Sequence, residues 1–465
     1  MNDKEAQKSH QEELGSDKTE FKREIGLFGG VSILAGIMIG GGIFYLGSYV
    51  MMRTGYSLGM CLLAWVIGGV VCMLGGLCYA ELGAMMPKAG GRIVYLSEAY
   101  HPIVGFASGF TQWFLSESGS IAAGALALMA MFSLEGVTAK IIASVVVIVF
   151  AGINMLGVKK GSMVTNVMVV AKIVPILIIL VAALIQGHSG NTISMKPMDG
   201  EAKGSFIHMI AFAVVATLYA YDGWIDLNTV AEEIKNPQRN LPLSIILGIG
   251  SITVLYCLFN FAIWKVIPMN EMHELIESGN YYLGTEVARR IFGSAGVVLV
   301  SVGMAISQLG AINSMVLTYP RVGYAMGHEG HFFKFVGKLN RNSVPANATI
   351  VLIAVVLVMI WARSLDQVVD MVIFVGQITN VLVIFAVILL RKKMPDMPRP
   401  YKVWGGYVTV ILAVLANLYL MYNTLMNDST TAISGLIFWV LGVIVYAFFE
   451  MKNKKEAQKL SGENS

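Results

Sequence analysis

The chain has 465 residues, 56% of them hydrophobic and 13% charged, with a mean hydropathy of +0.68 and a formal net charge of +4. A soluble chain carries about 25% charged residues, so this composition excludes a water-soluble globular protein and indicates a polytopic membrane protein. The basic residues are scattered at the ends of apolar runs, which gives no footprint for nucleic acid.

Residues 1–24 are polar, lack a cleavable leader pattern and read as a cytoplasmic tail. Runs of about 20 apolar residues mark spanning helices. Twelve are predicted, near 25–52, 57–84, 99–130, 139–157, 163–186, 205–233, 242–266, 286–318, 344–362, 367–391, 403–426 and 431–450. The longer connections, 86–98, 267–285 and 319–343, leave room for re-entrant or amphipathic pieces. Residues 451–465 form a second short tail, and no separate soluble domain is left over. With the N-terminus inside, 24 of the 33 Lys and Arg residues fall on the cytoplasmic side. Eight fall outside: Arg53, Lys140, Lys196, Lys203, Lys265, Arg289, Arg290 and Arg363. That asymmetry predicts two cytoplasmic termini and an even number of spans. The four cysteines, Cys61, Cys72, Cys78 and Cys257, sit in apolar segments and read as core or lipid-facing residues.

The first segment contains Gly36 to Phe44, with three consecutive glycines at Gly40, Gly41 and Gly42. Each costs a helix roughly 1 kcal/mol relative to Ala. Small residues also let helices pack closely, but a second interruption later in the chain favours a broken helix that lines a cavity. The fifth segment holds the remaining cation, Lys172, about ten residues from its start. Such a charge is costly unless paired or hydrated. It snorkels to the interface, or its ammonium stands where a coupling cation would otherwise sit. The sixth segment is interrupted at Asp222-Gly223, a turn signal, and carries Asp222 and Asp226 as buried-charge candidates.

Breaks in segments one and six lie five helices apart. They point to inverted repeats over about 25–186 and 205–391, a transport core over 25–391, and appended helices over 403–450. At a broken helix, free N–H groups attract an anion and free carbonyls a cation. An amino acid carries both charges. The N–H groups of Gly41 and Gly42 would take its carboxylate. Carbonyls around Met38 and Ile39, and around Tyr219 and Ala220, would take its ammonium.

Gly36 to Phe44 resembles the helix-one signature of the amino acid–polyamine–organocation superfamily. Tyr219 to Trp224, with Glu232 to Pro242, is similar to the L-type amino-acid transporter family, including bacterial serine/threonine exchangers. The match extends to Met86–Gly91 and Tyr319–Val322. The resemblance implies a five-plus-five inverted-repeat fold and sodium-independent exchange of neutral amino acids in a bacterial inner membrane. It implies that Tyr219 shields the substrate, and that Lys172 replaces a sodium ion and links helices one, five and eight, with Ser307 as its partner. Gly41 stands where the family usually has Ser. Asp226 falls where animal relatives carry Tyr or Asn, either near the pocket or turned away. Glu117, among small polar neighbours, departs from the family and is expected to face the cavity. Animal members are disulfide-linked to a glycoprotein through a loop Cys between helices three and four. Residues 133–140 contain none, so no such heavy chain is expected.

The expected partners are therefore an amino acid and the lipid bilayer. A proton-coupled amino-acid or polyamine symporter, with Glu117 or Asp222 as the titrating group, is the alternative within transport. A membrane amino-acid sensor is more remote, because the tails are too short for an output domain. No metal-spaced ligands or nucleophile elbow occur, so no enzyme, metal or cofactor is expected.

Overall fold

Hydrocarbon offers no partner to a backbone N–H or C=O, so long apolar runs close their own hydrogen bonds as helices. The computed structural model describes residues 3–16, 18–362, 365–427 and 429–462. All regular structure among them is helical; the one extended contact is a parallel bridge between Ile25 and Ile234.

After the polar α1 (Asp3–Leu14), the first apolar segment divides into α2 (Leu27–Met38), a 3-10 turn over Gly41–Phe44 and α3 (Leu46–Arg53). Next come α4 (Leu58–Met85) and the short α5 (Arg92–Ala99). The third segment runs as α6 (Pro102–Thr111), a π-helical turn over Gln112–Glu117 and α7 (Ser118–Met131). The helices α8 (Gly136–Met155) and α9 (Val158–Gln186) are uninterrupted. The sixth segment is α10 (Phe206–Ala220), a turn, and a 3-10 run over Asp226–Glu233. The helix α11 (Pro237–Val266) begins on a proline, whose missing N–H costs nothing there.

A short amphipathic helix, α12 (Met269–Glu277), buries Met272 and Ile276 in the next connection. The eighth segment, expected as one span over 286–318, is two helices. These are α13 (Leu283–Phe292) and α14 (Ser294–Thr318), divided at Gly293, whose φ of +62° no helix accommodates. The remaining helices are α15 (Pro320–His328), α16 (Ala346–Ala362), α17 (Leu365–Lys393), α18 (Tyr407–Asn427) and α19 (Ser429–Gly462). Each of the three longer connections thus contains a short helix. Arg363 lies outside the described residues.

Among the described residues, seven helices are long and apolar enough to cross a membrane. They are α4, the α6–α7 run, α8, α9, α11, the α14–α15 run and Gly435–Glu456 within α19. The apolar helices α2, α10, α16 and Tyr407–Tyr419 within α18 are shorter. Large apolar side chains such as Val145, Val167, Val181, Val254, Val302 and Ile411 are half exposed or more on the outer helix faces. Lipid, not water, matches such a surface.

The inner packing places α11 against both α4 and α2, and α14 against α9. Both chain ends meet one face. Phe21 packs edge-to-face on Tyr324 at 5.0 Å, and Thr19 Oγ1 donates to Glu232 at 2.9 Å. On the same face Asn453 Nδ2 donates to the Gly330 carbonyl at 2.9 Å.

Candidate functional site

The two interruptions meet. Helix α2 stops at Met38; Ile39 leaves helical geometry and Gly40 is extended. Gly40 N–H donates to the Met38 carbonyl, which releases the Gly36 carbonyl from the helical ladder. Opposite, α10 ends at Ala220 and the chain turns through Gly223 at φ +104°. A Cβ on Gly223 would stand 2.3 Å from Ile37 Cγ2, so only glycine lets the second break pack on the first. The Tyr256 hydroxyl of α11 lies 2.9 Å from both the Met38 and the Ala220 carbonyls, bridging the two breaks.

The freed carbonyls hold a cation from the protein itself. Lys172 on α9 is fully buried, and its Nζ donates to the Gly36 carbonyl at 2.9 Å and to the Ile39 carbonyl. Ser307 on α14 donates to the same Ile39 oxygen at 2.7 Å. Both lone pairs of that oxygen are thereby engaged. Ile39 therefore serves Lys172 and Ser307 and leaves no lone pair for a ligand. A buried ammonium is expensive unless hydrogen-bonded, and here the broken turn supplies the acceptors.

A cavity of about 510 Å³ lies beside the breaks. Met38, Gly40, Gly41 and Gly42 line it from the first segment, and Tyr219, Ala220 and Asp222 from the sixth. Gly41 and Gly42 open the 3-10 turn, where no preceding carbonyl is in register for their N–H groups. Gln308 of α14 closes one wall and Ser120 of α7 another; Tyr45 and Tyr282, with ring centroids 5.7 Å apart, line the end away from the chain termini. Asp222 and Tyr219 are both exposed to this space. Among the described residues lining the cavity Asp222 is the one carboxylate, and no Lys, Arg or His joins it.

Two expected site residues point elsewhere. Asp226 is buried and accepts from Arg92 Nη2 at 3.1 Å and from the Tyr319 hydroxyl at 3.2 Å. Glu117, expected to face the cavity, accepts from the same Arg92 nitrogen at 2.6 Å. The physical reason is the guanidinium: Arg92 is 3% exposed and needs acceptors, and these two carboxylates are placed to supply them. Nearby, Arg321 binds Glu233 through two nitrogens, at 2.6 and 2.9 Å. These ion pairs and the Ile25–Ile234 bridge lie between the cavity and the face that carries both chain ends.

Several residues here were not singled out as site residues from the sequence. Tyr256 and Gln308 look like ordinary polar residues in apolar helices. Arg92 reads as a loop cation, although the preceding Gly90-Gly91 pair, both at positive φ, signals that a helix starts there. Arg321 and Glu233 lie 88 residues apart, and no local pattern pairs them.

Comparison with known proteins agrees with this geometry. The family described as Amino acid permease matches residues 25–449. The chain is 32% identical over 450 residues to the serine/threonine exchanger SteT of Bacillus subtilis, covering 95% of this chain and 100% of that protein. It is 31% identical over 455 residues to human b(0,+)-type amino acid transporter 1, covering 95% and 91%. It is 29% identical over 455 residues to the human cystine/glutamate transporter, covering 96% and 89%. A broken-helix pair around a cavity and family membership over nearly the whole chain lead to one conclusion: this protein belongs to the amino acid permease family, within the amino acid–polyamine–organocation superfamily, and is a membrane transporter of amino acids and not an enzyme.

Proposed function

We propose that the protein exchanges neutral amino acids across the cell membrane by alternating access, without sodium and without a disulfide-linked partner. The observation that carries this reading is the Lys172 ammonium seated on the Gly36 and Ile39 carbonyls. A fixed cation occupies the polar pocket that a broken helix opens, so no mobile one is required there. The N–H groups of Gly41 and Gly42 bind the substrate carboxylate, and the carbonyls at the end of α10 bind its ammonium, since those of Met38 and Ile39 are already taken. Tyr219 covers the bound molecule.

In this reading the chain has twelve spans, the first ten forming two inverted repeats over 25–186 and 205–391, with 403–450 appended. Both termini are cytoplasmic, and the ion-paired layer beneath the cavity closes the inner side. Asp222, the one carboxylate among the described residues lining the cavity, favours a second class of substrate, amino acids with a cationic side chain.

Reconstituted liposomes test the proposal. Uptake of labelled serine is expected to require internal amino acid and to be indifferent to sodium and to a pH gradient. Uptake into empty vesicles driven by a proton gradient overturns exchange and favours symport; uptake that needs sodium overturns the role given to Lys172.

A further inference from the structure

A second cavity, of about 530 Å³, lies on the outer surface where the first turns of α11 face the connection between α17 and α18. Arg239, Leu243 and Ile246 line it from α11; Pro400, Tyr401 and Trp404 line the opposite wall. The α11 residues are spaced at i, i+4 and i+7, so they share one helix face. Along that face the chemistry changes in one direction, from the exposed cation Arg239 to apolar Leu243 and Ile246.

The surroundings orient this gradient. The polar end adjoins a further cavity, which shares Gln238 and Pro400 with it and is walled by Lys8, Gln11 and Glu12 of α1. That is the aqueous, tail-bearing side. Beyond the apolar end, Leu247 and Val254 of α11 and Val408 and Ile411 of α18 are exposed. Trp404 is 60% exposed, and Trp and Tyr concentrate where hydrocarbon meets water. The Tyr401 hydroxyl is closed off from solvent and finds no hydrogen-bond partner among the described residues. Arg239 makes no ion pair among the described residues, no acid lines the groove, and Lys235 and Lys402 beside it are exposed.

We propose that this groove binds an anionic phospholipid from the leaflet on the side of the chain termini. The headgroup phosphate meets Arg239, the glycerol region lies against Tyr401 and Trp404, and one acyl chain follows Leu243 and Ile246 along α11. The same helix carries Tyr256, so the lipid anchors the outer face of the element that bridges the two breaks.

Native mass spectrometry of the full-length protein in detergent, titrated with phosphatidylglycerol or phosphatidylcholine, tests the assignment. The wild type is expected to hold phosphatidylglycerol about fivefold more tightly, the factor that corresponds to ~1 kcal/mol for a basic residue at an anionic lipid surface. Arg239→Gln is expected to erase the preference. Trp404→Ala is expected to weaken both lipids and keep the preference. Equal retention of the two lipids by the wild type, or an unchanged preference in Arg239→Gln, overturns the proposal. Displacement of phosphatidylglycerol by millimolar inorganic phosphate assigns the groove to free phosphate and overturns it as well.

Discussion

The two breaks differ in how their polar groups are used. At the first, the protein engages its own backbone: Lys172, Ser307 and Tyr256, from three helices, bind the carbonyls of Gly36, Met38 and Ile39. At the second, among the described residues, the Ala220 carbonyl alone lies against such a partner, and the side chains of Tyr219 and Asp222 open onto the cavity. A backbone tied on three sides is rigid and presents the same N–H groups to every ligand. The Tyr219 and Asp222 side chains face the cavity and are free to meet a ligand. In the proposed function, the first break meets the part of an amino acid that never varies, and the second meets the part that does.

The largest effect is expected at the tie itself. Lys172→Met leaves two buried carbonyls without their charged donor, a loss of ~3 kcal/mol or more, and is expected to lower exchange below about 1% of wild type. Vesicle uptake measures this, and near-normal exchange would show that the first break holds its shape unaided. Gly223→Ala comes next. The positive φ and the approach to Ile37 are expected to lower stability by ~1–3 kcal/mol, read as reduced melting temperature together with reduced uptake.

Asp222→Asn sharpens the division between the breaks. It is expected to weaken arginine about tenfold, or ~1.4 kcal/mol, while serine changes by less than about twofold. Competition for labelled serine uptake measures both; equal losses for the two amino acids would place Asp222 in the fold and not in selection. The smallest effect is expected for Gly41→Ser. Its Cβ would meet Met131 Cε at 2.8 Å, the far end of a flexible side chain that swings aside, so exchange should stay within about twofold.

Much of the site could be read from residue order because breaks in apolar helices are composition events. Gly40 to Gly42 and Asp222-Gly223 are poor helix formers wherever they stand, and the helices stop at Met38 and Ala220. A Lys172 tie between helices one, five and eight with Ser307 was expected from family resemblance; Ile39, read as a ligand of the substrate ammonium, was not expected as their shared acceptor, since no local pattern joins positions 133 and 268 residues apart. What remained hidden depends on rotation and on distant partners. The π-helical turn at Gln112–Glu117 inserts extra arc into the third segment and re-aims Glu117, which a regular helical count does not anticipate. Asp226 is claimed by Arg92, 134 residues earlier, a pairing invisible until both are placed. The division of the eighth segment at Gly293 was obscured because apolar residues continue on both sides of it.

The ion-paired layer offers a further contrast with the cavity. Arg92, Glu117, Asp226, Arg321 and Glu233 are all buried, and such pairs add little net stability while fixing one arrangement over others. Under the proposed alternating access, a closure built from pairs that water can dissolve suits a surface that opens in each cycle.

The central claim is that the paired breaks form one amino-acid site, and a structure of the protein with bound serine tests it most directly. The account predicts density for the carboxylate at the Gly41 and Gly42 N–H groups, with the side chain directed toward Tyr219 and Asp222 and Lys172 still on Ile39. Serine bound away from Gly41 and Gly42, or bound through Lys172 itself, would contradict it.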